Sequence, residues 1–207
     1  MILRVYIVTI FVFLTTQVLN AEKHQAAEAQ KNFDTAVNFI EDKKYQDAFP
    51  IFLNLAEQNF PEAQYNLSVL YFNGLGVPKN FKWSLYWAWQ ANLNNHKKAE
   101  NWVDNVIANI NEDLRNSVAQ TISDEFTKSA TEGEQSAPLK LGRTYLKLFV
   151  EPNNQMAYLW LSIAQAYGYE EASAFLQEAT SQLTLEEILV EQENSHNKFQ
   201  EITSQKK

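Results

Sequence analysis

The chain has 207 residues, of which 45% are hydrophobic and 20% are charged, a balance that is typical of a globular protein. Its 17 Lys and Arg residues and 25 Asp and Glu residues give a formal net charge of −8, which disfavours nucleic acid as a partner because phosphate backbones are repelled. The absence of Cys excludes a disulfide framework, a thiolate metal site and a cysteine nucleophile. With only 5 Gly and 5 Pro, the sequence favours helices over an all-β fold.

The first 21 residues have the anatomy of a signal peptide. Arg4 supplies a short positive region, an apolar run extends from Val5 to Leu14, and a more polar stretch ends at Ala21. This order predicts export with cleavage after Ala21 and a periplasmic or secreted mature chain without a stable membrane anchor. The apolar run is shorter than the roughly 20 residues that a membrane span needs. An uncleaved anchor is the alternative.

The next segments predict a helical lead-in. Residues Glu22 to Asn32 are polar and rich in Ala and Gln, which favours a helix, and a helical pattern continues from Phe33 to Ile40. A further helix is predicted from Tyr45 to Gln58. Pro50 lies inside this last segment and is expected to kink the helix or to mark a later start.

A helix–turn–helix follows. Pro61 to Phe72 predicts a helix with proline in its first turn, and Asn73 to Lys79 is a turn with two glycines. Phe81 to Asn94 is the partner helix, because its small and apolar residues recur with helical spacing. Ala99 to Lys128 predicts one or two further helices, and Glu132 to Gln135 predicts a connector.

The pattern of residues 63–99 occurs a second time in residues 137–172. The residues that match most clearly are Tyr71 and Tyr145, Trp87 and Trp160, and Phe126 and Phe199. The tyrosines are 74 residues apart and the other two pairs 73, so the second loop is one residue shorter. The duplicated unit therefore contains two short helices and a longer amphipathic tail. A first unit is predicted over residues 22–130 and a second, degenerate unit over residues 131–207.

The segment AQYNLSVLYFNGLGVPKN, followed by WSLYWAWQA, resembles the Sel1-like repeats, a helix–turn–helix family related to tetratricopeptide repeats. The turn from Gly74 to Val77 is the most specific part of the match. In the second copy Lys147, Leu148 and Phe149 replace this turn, whereas AYLWLSIAQA still resembles the family. The resemblance implies an all-α fold, a curved α/α superhelix or solenoid with a terminal capping helix, and a role in binding other proteins.

No catalytic constellation is present in the sequence. His24, His96 and His196 lack metal-ligand spacing and are interpreted as solvated surface residues. The pair Glu186–Glu187 follows Thr184 and is better explained as the start of a helix, with Thr184 as its cap. GxSxG and phosphate-loop motifs are also absent. We therefore expect a protein that is not an enzyme and uses no cofactor or metal.

Trp83, Tyr86 and Trp89 are the candidate partner-binding residues. Trp87 and Trp160 occupy the packing position of the resembled family, whereas these three fall where that family usually carries charged residues. Their spacing of three residues makes a slanted stripe about 120° wide on the predicted helix. The matching residues of the second copy are Met156, Leu159 and Ser162. The stripe either packs beneath residues 99–128 or remains partly exposed as an anchor for a partner.

Three classes of function remain open. The first is a non-catalytic scaffold or adaptor for a protein partner in the periplasm. The second is a regulatory factor that binds peptidoglycan or another glycan through Trp83 and Trp89. The third is an enzyme, which only scattered carboxylates support. An accessory role in an envelope apparatus, or a secreted host-interaction role, is compatible with the first class, which we expect.

Overall fold

The computed structural model of the chain describes residues 23–204, and every regular element within that range is a helix. The predicted all-α solenoid fold is thus confirmed. The predicted signal peptide, residues 1–21, lies outside the described residues. Within residues 23–204, no helix combines the length and the apolar character needed to cross a membrane.

Ten helices follow one another in the described range. They are α1 (residues 23–41), α2 (Tyr45–Glu57), α3 (Pro61–Asn73), α4 (Phe81–Leu93), α5 (Ala99–Ile107), α6 (Glu112–Thr131), α7 (Ala137–Lys147), α8 (Asn154–Ala166), α9 (Ala172–Thr180) and α10 (Leu185–Ser204). The pairs α3–α4 and α7–α8 pack most closely. Because α2 packs on α3 and α6 packs on α7, each pair is joined to the helix before it.

The sequence duplication is present in the helices themselves. Helices α8, α9 and α10 begin and end 73 residues after α4, α5 and α6. Helix α7 has 11 residues and its counterpart α3 has 13, so the two copies differ at the loop that follows. The repeated unit therefore consists of four helices, α3–α6 in the first copy and α7–α10 in the second.

The long helix of each unit begins at a side-chain cap. In α6 the side-chain oxygen of Asn111 accepts a hydrogen bond of 2.9 Å from the backbone N–H of Leu114. In α10 Thr184 and Glu187 bond reciprocally, because Glu187 accepts from the Thr184 N–H and the Thr184 hydroxyl accepts from the Glu187 N–H. These bonds hold the pKa of Glu187 below its usual value. The predicted cap at Thr184 is confirmed.

The glycine turn of the first unit packs directly on α2. Gly74 and Gly76 both have positive φ angles, 71° and 73°. A Cβ atom on Gly76 would lie 2.3 Å from the carbonyl oxygen of Tyr45, which rules out any side chain at this position. Helix α2 begins at Tyr45 and continues through Pro50, so the expected later start is wrong.

Each helix pair crosses at small residues. Ser68 on α3 and Ser84 on α4 are buried, and the hydroxyl of each donates to the backbone carbonyl of the other, at 2.7 and 3.0 Å. At the same crossing in the second unit, a Cβ on Gly142 would lie 3.3 Å from the carbonyl oxygen of Ala157 and 2.5 Å from the Cγ of Leu161. The helices thus approach closely in both units, with different side chains filling the contact.

Candidate functional site

The structure separates the three residues of the predicted aromatic stripe. Trp83 is 41% exposed, Tyr86 is partly buried, and Trp89 is only 3% exposed. The two alternatives for the stripe therefore each hold for part of it. Trp89 cannot serve as a surface anchor, which corrects that part of the prediction, whereas a role for Trp83 in binding remains a prediction.

Trp83 belongs to an aromatic cluster on the outside of the first unit. Its ring stacks on Tyr71 with centroids 6.5 Å apart and meets Tyr86 edge-on at 5.4 Å. Tyr71 is in turn in edge-on contact with Phe49 of α2 at 5.3 Å. The cluster fixes the orientation of the Trp83 indole while leaving part of it in solvent.

Tyr86 connects α4 to α6. Its hydroxyl donates a hydrogen bond of 2.7 Å to a carboxylate oxygen of Glu125. Burial raises the pKa of Tyr86 far above its usual value, and the bond to Glu125 raises the pKa further. The phenol therefore stays protonated and acts as a donor that ties the two helices together.

Trp89 lies where the two units meet. Its indole N–H donates a bond of 3.0 Å to the hydroxyl of Thr144 on α7, and its ring packs in the core with α5 and α6. The equivalent residue of the second unit is Ser162, which no further described helix covers in this way. A large aromatic residue is thus found at the copy of this position that receives the next unit.

A groove of about 390 Å³ opens beside Trp89 at the junction of the units. Its lining comes from five helices and includes Trp89 of α4, Asp104 of α5, Arg115 of α6, Arg143 of α7 and Phe175 of α9. Helix α5 has only 9 residues whereas α3 has 13, so it ends early and leaves space between α4 and α7. We call this space the junction groove.

Arg143 holds the end of α4 against α7. Its guanidinium is buried and donates to the carbonyl oxygens of Asn92 and Leu93, the last residues of α4, at 3.1 and 3.3 Å. It also pairs with Glu171 at 3.5 Å and lies 5.3 Å from the ring centre of Phe175. Burial lowers the pKa of Arg143, and the carboxylate of Glu171 opposes that shift.

Arg115 satisfies the loop that lacks the glycine turn. Its guanidinium donates to the carbonyl oxygens of Leu148 and Phe149 at 2.7 and 3.2 Å. The side-chain oxygen of the next residue, Asn116, accepts from the backbone N–H of Val150 at 3.0 Å. Side chains from α6 thus supply the hydrogen bonds that a left-handed glycine supplies at the end of α3.

The groove carries charges of both signs. Glu100 and Asp104 lie one helical turn apart on α5 and line the groove, and both side chains are exposed. On the other side Arg115 and Arg143 are bonded to backbone carbonyls, and Lys147 forms an ion pair with Glu178. The carboxylates of α5 are therefore the acidic groups of the lining that face cations already bonded elsewhere.

The histidines do not form a metal site. Within residues 23–204 no group of three or more His, Cys, Asp or Glu residues is placed to hold a metal ion. His24 and His196 are exposed, as expected. The expectation of a solvated His96 is wrong, because its ring stacks on Tyr65 at 4.5 Å and burial lowers its pKa.

The sequence did not reveal the junction groove. Its two arginines each occur in only one copy of the repeat: the residue that matches Arg143 is Val69, and the residue that matches Arg115 is Ile188. A buried arginine on a face that carries valine in the other copy was the available signal. Reading it required knowledge of which helices meet at the junction.

Comparison with known proteins identifies the repeats. The Sel1 repeat family matches residues 61–96 and 137–164, which correspond to the α3–α4 and α7–α8 pairs. Among curated proteins, none matches the chain.

Two solved structures resemble the chain at low identity. One is a protective antigen present in uropathogenic Escherichia coli strains that displays an SLR fold, with 17% identity, a TM-score of 0.37 and coverage of 86% of this chain. The chain spans only 46% of that antigen. The other is a Sel1 repeat protein from Oxalobacter formigenes, with 16% identity, a TM-score of 0.31 and coverage of 82% of this chain and 87% of that one. On the two matched repeats, the chain belongs to the Sel1-like repeat family.

Proposed function

We propose that the chain is a non-catalytic periplasmic scaffold that holds a segment of a partner protein in the junction groove. Sel1 repeats generally mediate protein–protein interaction, and the family is generally non-catalytic. The observation that carries the proposal is a groove of about 390 Å³ built by residues of both units.

The lining of the groove suits a peptide segment. Val103 and Ile107 supply apolar walls, and the indole of Trp89 lies at the base. Glu100 and Asp104 can accept hydrogen bonds from a partner's backbone or from its basic side chains. A surface with apolar and charged groups side by side recognises a folded or extended protein segment better than it recognises a uniformly charged polymer.

Affinity capture from periplasmic extract tests this role. We expect Asp104→Lys to lose the captured partner, because the substitution reverses the charge beside three cations. Asp34→Lys on α1 is the matched control, since it makes the same change at an exposed helical position remote from the groove. The proposal is rejected if both variants capture the same proteins as the wild type, or if no protein is captured specifically.

The periplasmic location is supported by the signal-peptide anatomy of residues 1–21. Expression of the full chain followed by fractionation and intact-mass measurement tests it. We expect the periplasmic form to begin at Glu22, with the loss of the first 21 residues. A full-length mass in the membrane fraction would instead support the uncleaved anchor.

A glycan-binding role is the second candidate, and the exposure of Trp83 favours it. Its indole is held by Tyr71 and Tyr86 with one part open to solvent, an arrangement on which a sugar ring can stack. We expect peptidoglycan fragments to change the tryptophan fluorescence of the wild type but not that of Trp83→Phe. An unchanged wild-type spectrum rejects this candidate, and Trp89 has no part in it because it is buried.

A further inference from the structure

The two copies of the long helix differ on one face. In α6 that face is covered by α7: Lys140 of α7 lies over the ring of Phe126 at 5.4 Å, and Ala119 and Ala130 share a buried cluster with α7 residues. The equivalent residues of α10 are Gln192, Phe199 and Thr203. Within residues 23–204 no helix covers this face of α10.

Two exposed leucines lie at the start of this face. Leu185 is 73% exposed and Leu189 is 57% exposed. The spacing of four and then seven residues places them on the same side of α10 as Gln192 and His196. The equivalent residues of α6 are polar, Glu112 and Asn116, so the leucines are a feature of the second copy alone.

The same face carries a groove farther along the helix. It has a volume of about 150 Å³ and lies between α8 and α10, where Ser162, Ala166, His196 and Phe199 line it. In the first unit the position of Ser162 is occupied by Trp89, whose ring fills the contact with α7. The small serine leaves the corresponding space in the second unit open.

This face of α10 is also free of acidic residues. The helix contains five glutamates, and the helical repeat places all of them on its other sides: Glu186, Glu187, Glu191, Glu193 and Glu201. In a chain of net charge −8, a neutral face is where two copies can approach with the least repulsion.

We propose that a second copy of this chain docks on the face, with the two α10 helices antiparallel and Leu189 of each copy in the groove of the other. Leu189 and His196 are seven residues apart, about 10.5 Å along a helix. A two-fold axis near Gln192 therefore brings each leucine to the other copy's groove. Such a contact uses the same patch on both copies and closes as a dimer.

The mass of the protein in solution, measured by light scattering over a range of concentrations, tests the dimer. We expect Leu189→Lys to weaken dimerisation by about tenfold or more, because a charge replaces a buried leucine. Val190→Lys is the matched control, since Val190 is 53% exposed on the same helix but is turned about 100° away from Leu189. It should leave the dimer unchanged.

Cross-linking gives a second, independent measurement. The chain contains no Cys, so a single cysteine at Gln192→Cys reports only on its own position. A short bis-maleimide should link two copies through this residue, whereas Val190→Cys should remain monomeric on a denaturing gel. A wild type that is monomeric at every concentration, or a dimer that both lysine variants leave equally intact, overturns the proposal. So does Leu189-dependent binding of a different protein by a monomer.

Discussion

The crossing of α7 and α8 allows a compensation test. Gly142 and Leu161 are both buried there, and a Cβ on Gly142 would lie 2.5 and 2.8 Å from the Cγ and Cδ2 of Leu161. The equivalent residues of the first unit are Ser68 and Ala88, so the larger residue is on opposite helices in the two units. We predict that Gly142→Ser and Leu161→Ala each destabilise the protein and that the double variant recovers part of the loss.

The expected sizes follow from the two contacts. Leu161→Ala removes a fully buried side chain and should lower the free energy of unfolding by about 2–5 kcal/mol. Gly142→Ser should lower it by about 1–2 kcal/mol, because overpacking of about 1–3 kcal/mol outweighs a gain in helix propensity of roughly 0.5 kcal/mol. In the double variant the clash is gone and the serine partly fills the cavity. The loss should therefore be about 1–3 kcal/mol smaller than the sum of the single losses.

Urea unfolding followed by far-UV circular dichroism measures all four proteins of this cycle. Serine is chosen because the first unit already contains it at this crossing, where its hydroxyl finds a backbone acceptor. If the two single losses add to within about 0.5 kcal/mol, the two positions do not share one contact and the reasoning is refuted.

Three further predictions concern the turn, the tryptophans and Tyr86. Gly76→Ala should destabilise by at least about 1 kcal/mol more than Gly168→Ala in urea unfolding, since both glycines have positive φ but only at Gly76 would the new Cβ meet backbone; equal losses contradict this. Trp89→Ala should lower the free energy of unfolding by about 3–5 kcal/mol and Trp83→Ala by less than about 1 kcal/mol, and similar losses would show that Trp89 is not a junction residue. Because the pKa of Tyr86 is raised in the folded protein, folding stability should fall as the pH rises above about 10, where tyrosines of the unfolded chain ionise. Melting temperatures from about pH 8 to about pH 11 should fall less for Tyr86→Phe, and parallel curves would refute the assignment.

Most of the fold could be predicted from local sequence signals. The partner helix was expected over Phe81 to Asn94 and is found over Phe81–Leu93, because its apolar residues recur with helical spacing and Asn80 caps its start. The duplication predicted the second unit although its glycine turn is missing. The packing within a helix pair depends on residues close in sequence, which explains why pattern alone was sufficient.

The candidate site depended on contacts that are distant in sequence. The helical repeat indicates which side of α4 Trp89 occupies, but the residue that meets it there, Thr144, is 55 positions later. Periodicity cannot tell whether another helix covers that side. The exposure of Trp83 and the burial of Trp89, only six residues apart, are set by the position at which α7 arrives.

Differences between the two copies mark these distant contacts. Residues that agree, such as Trp87 and Trp160, pack within a unit and face the same surroundings in both copies. Trp89 is large where a second unit follows, and its counterpart Ser162 is small where no described helix follows. By the same logic, leucine at position 189, where α6 has a polar residue, indicates that α10 meets surroundings that α6 does not. That inference is what the comparison of Leu189→Lys with Val190→Lys decides.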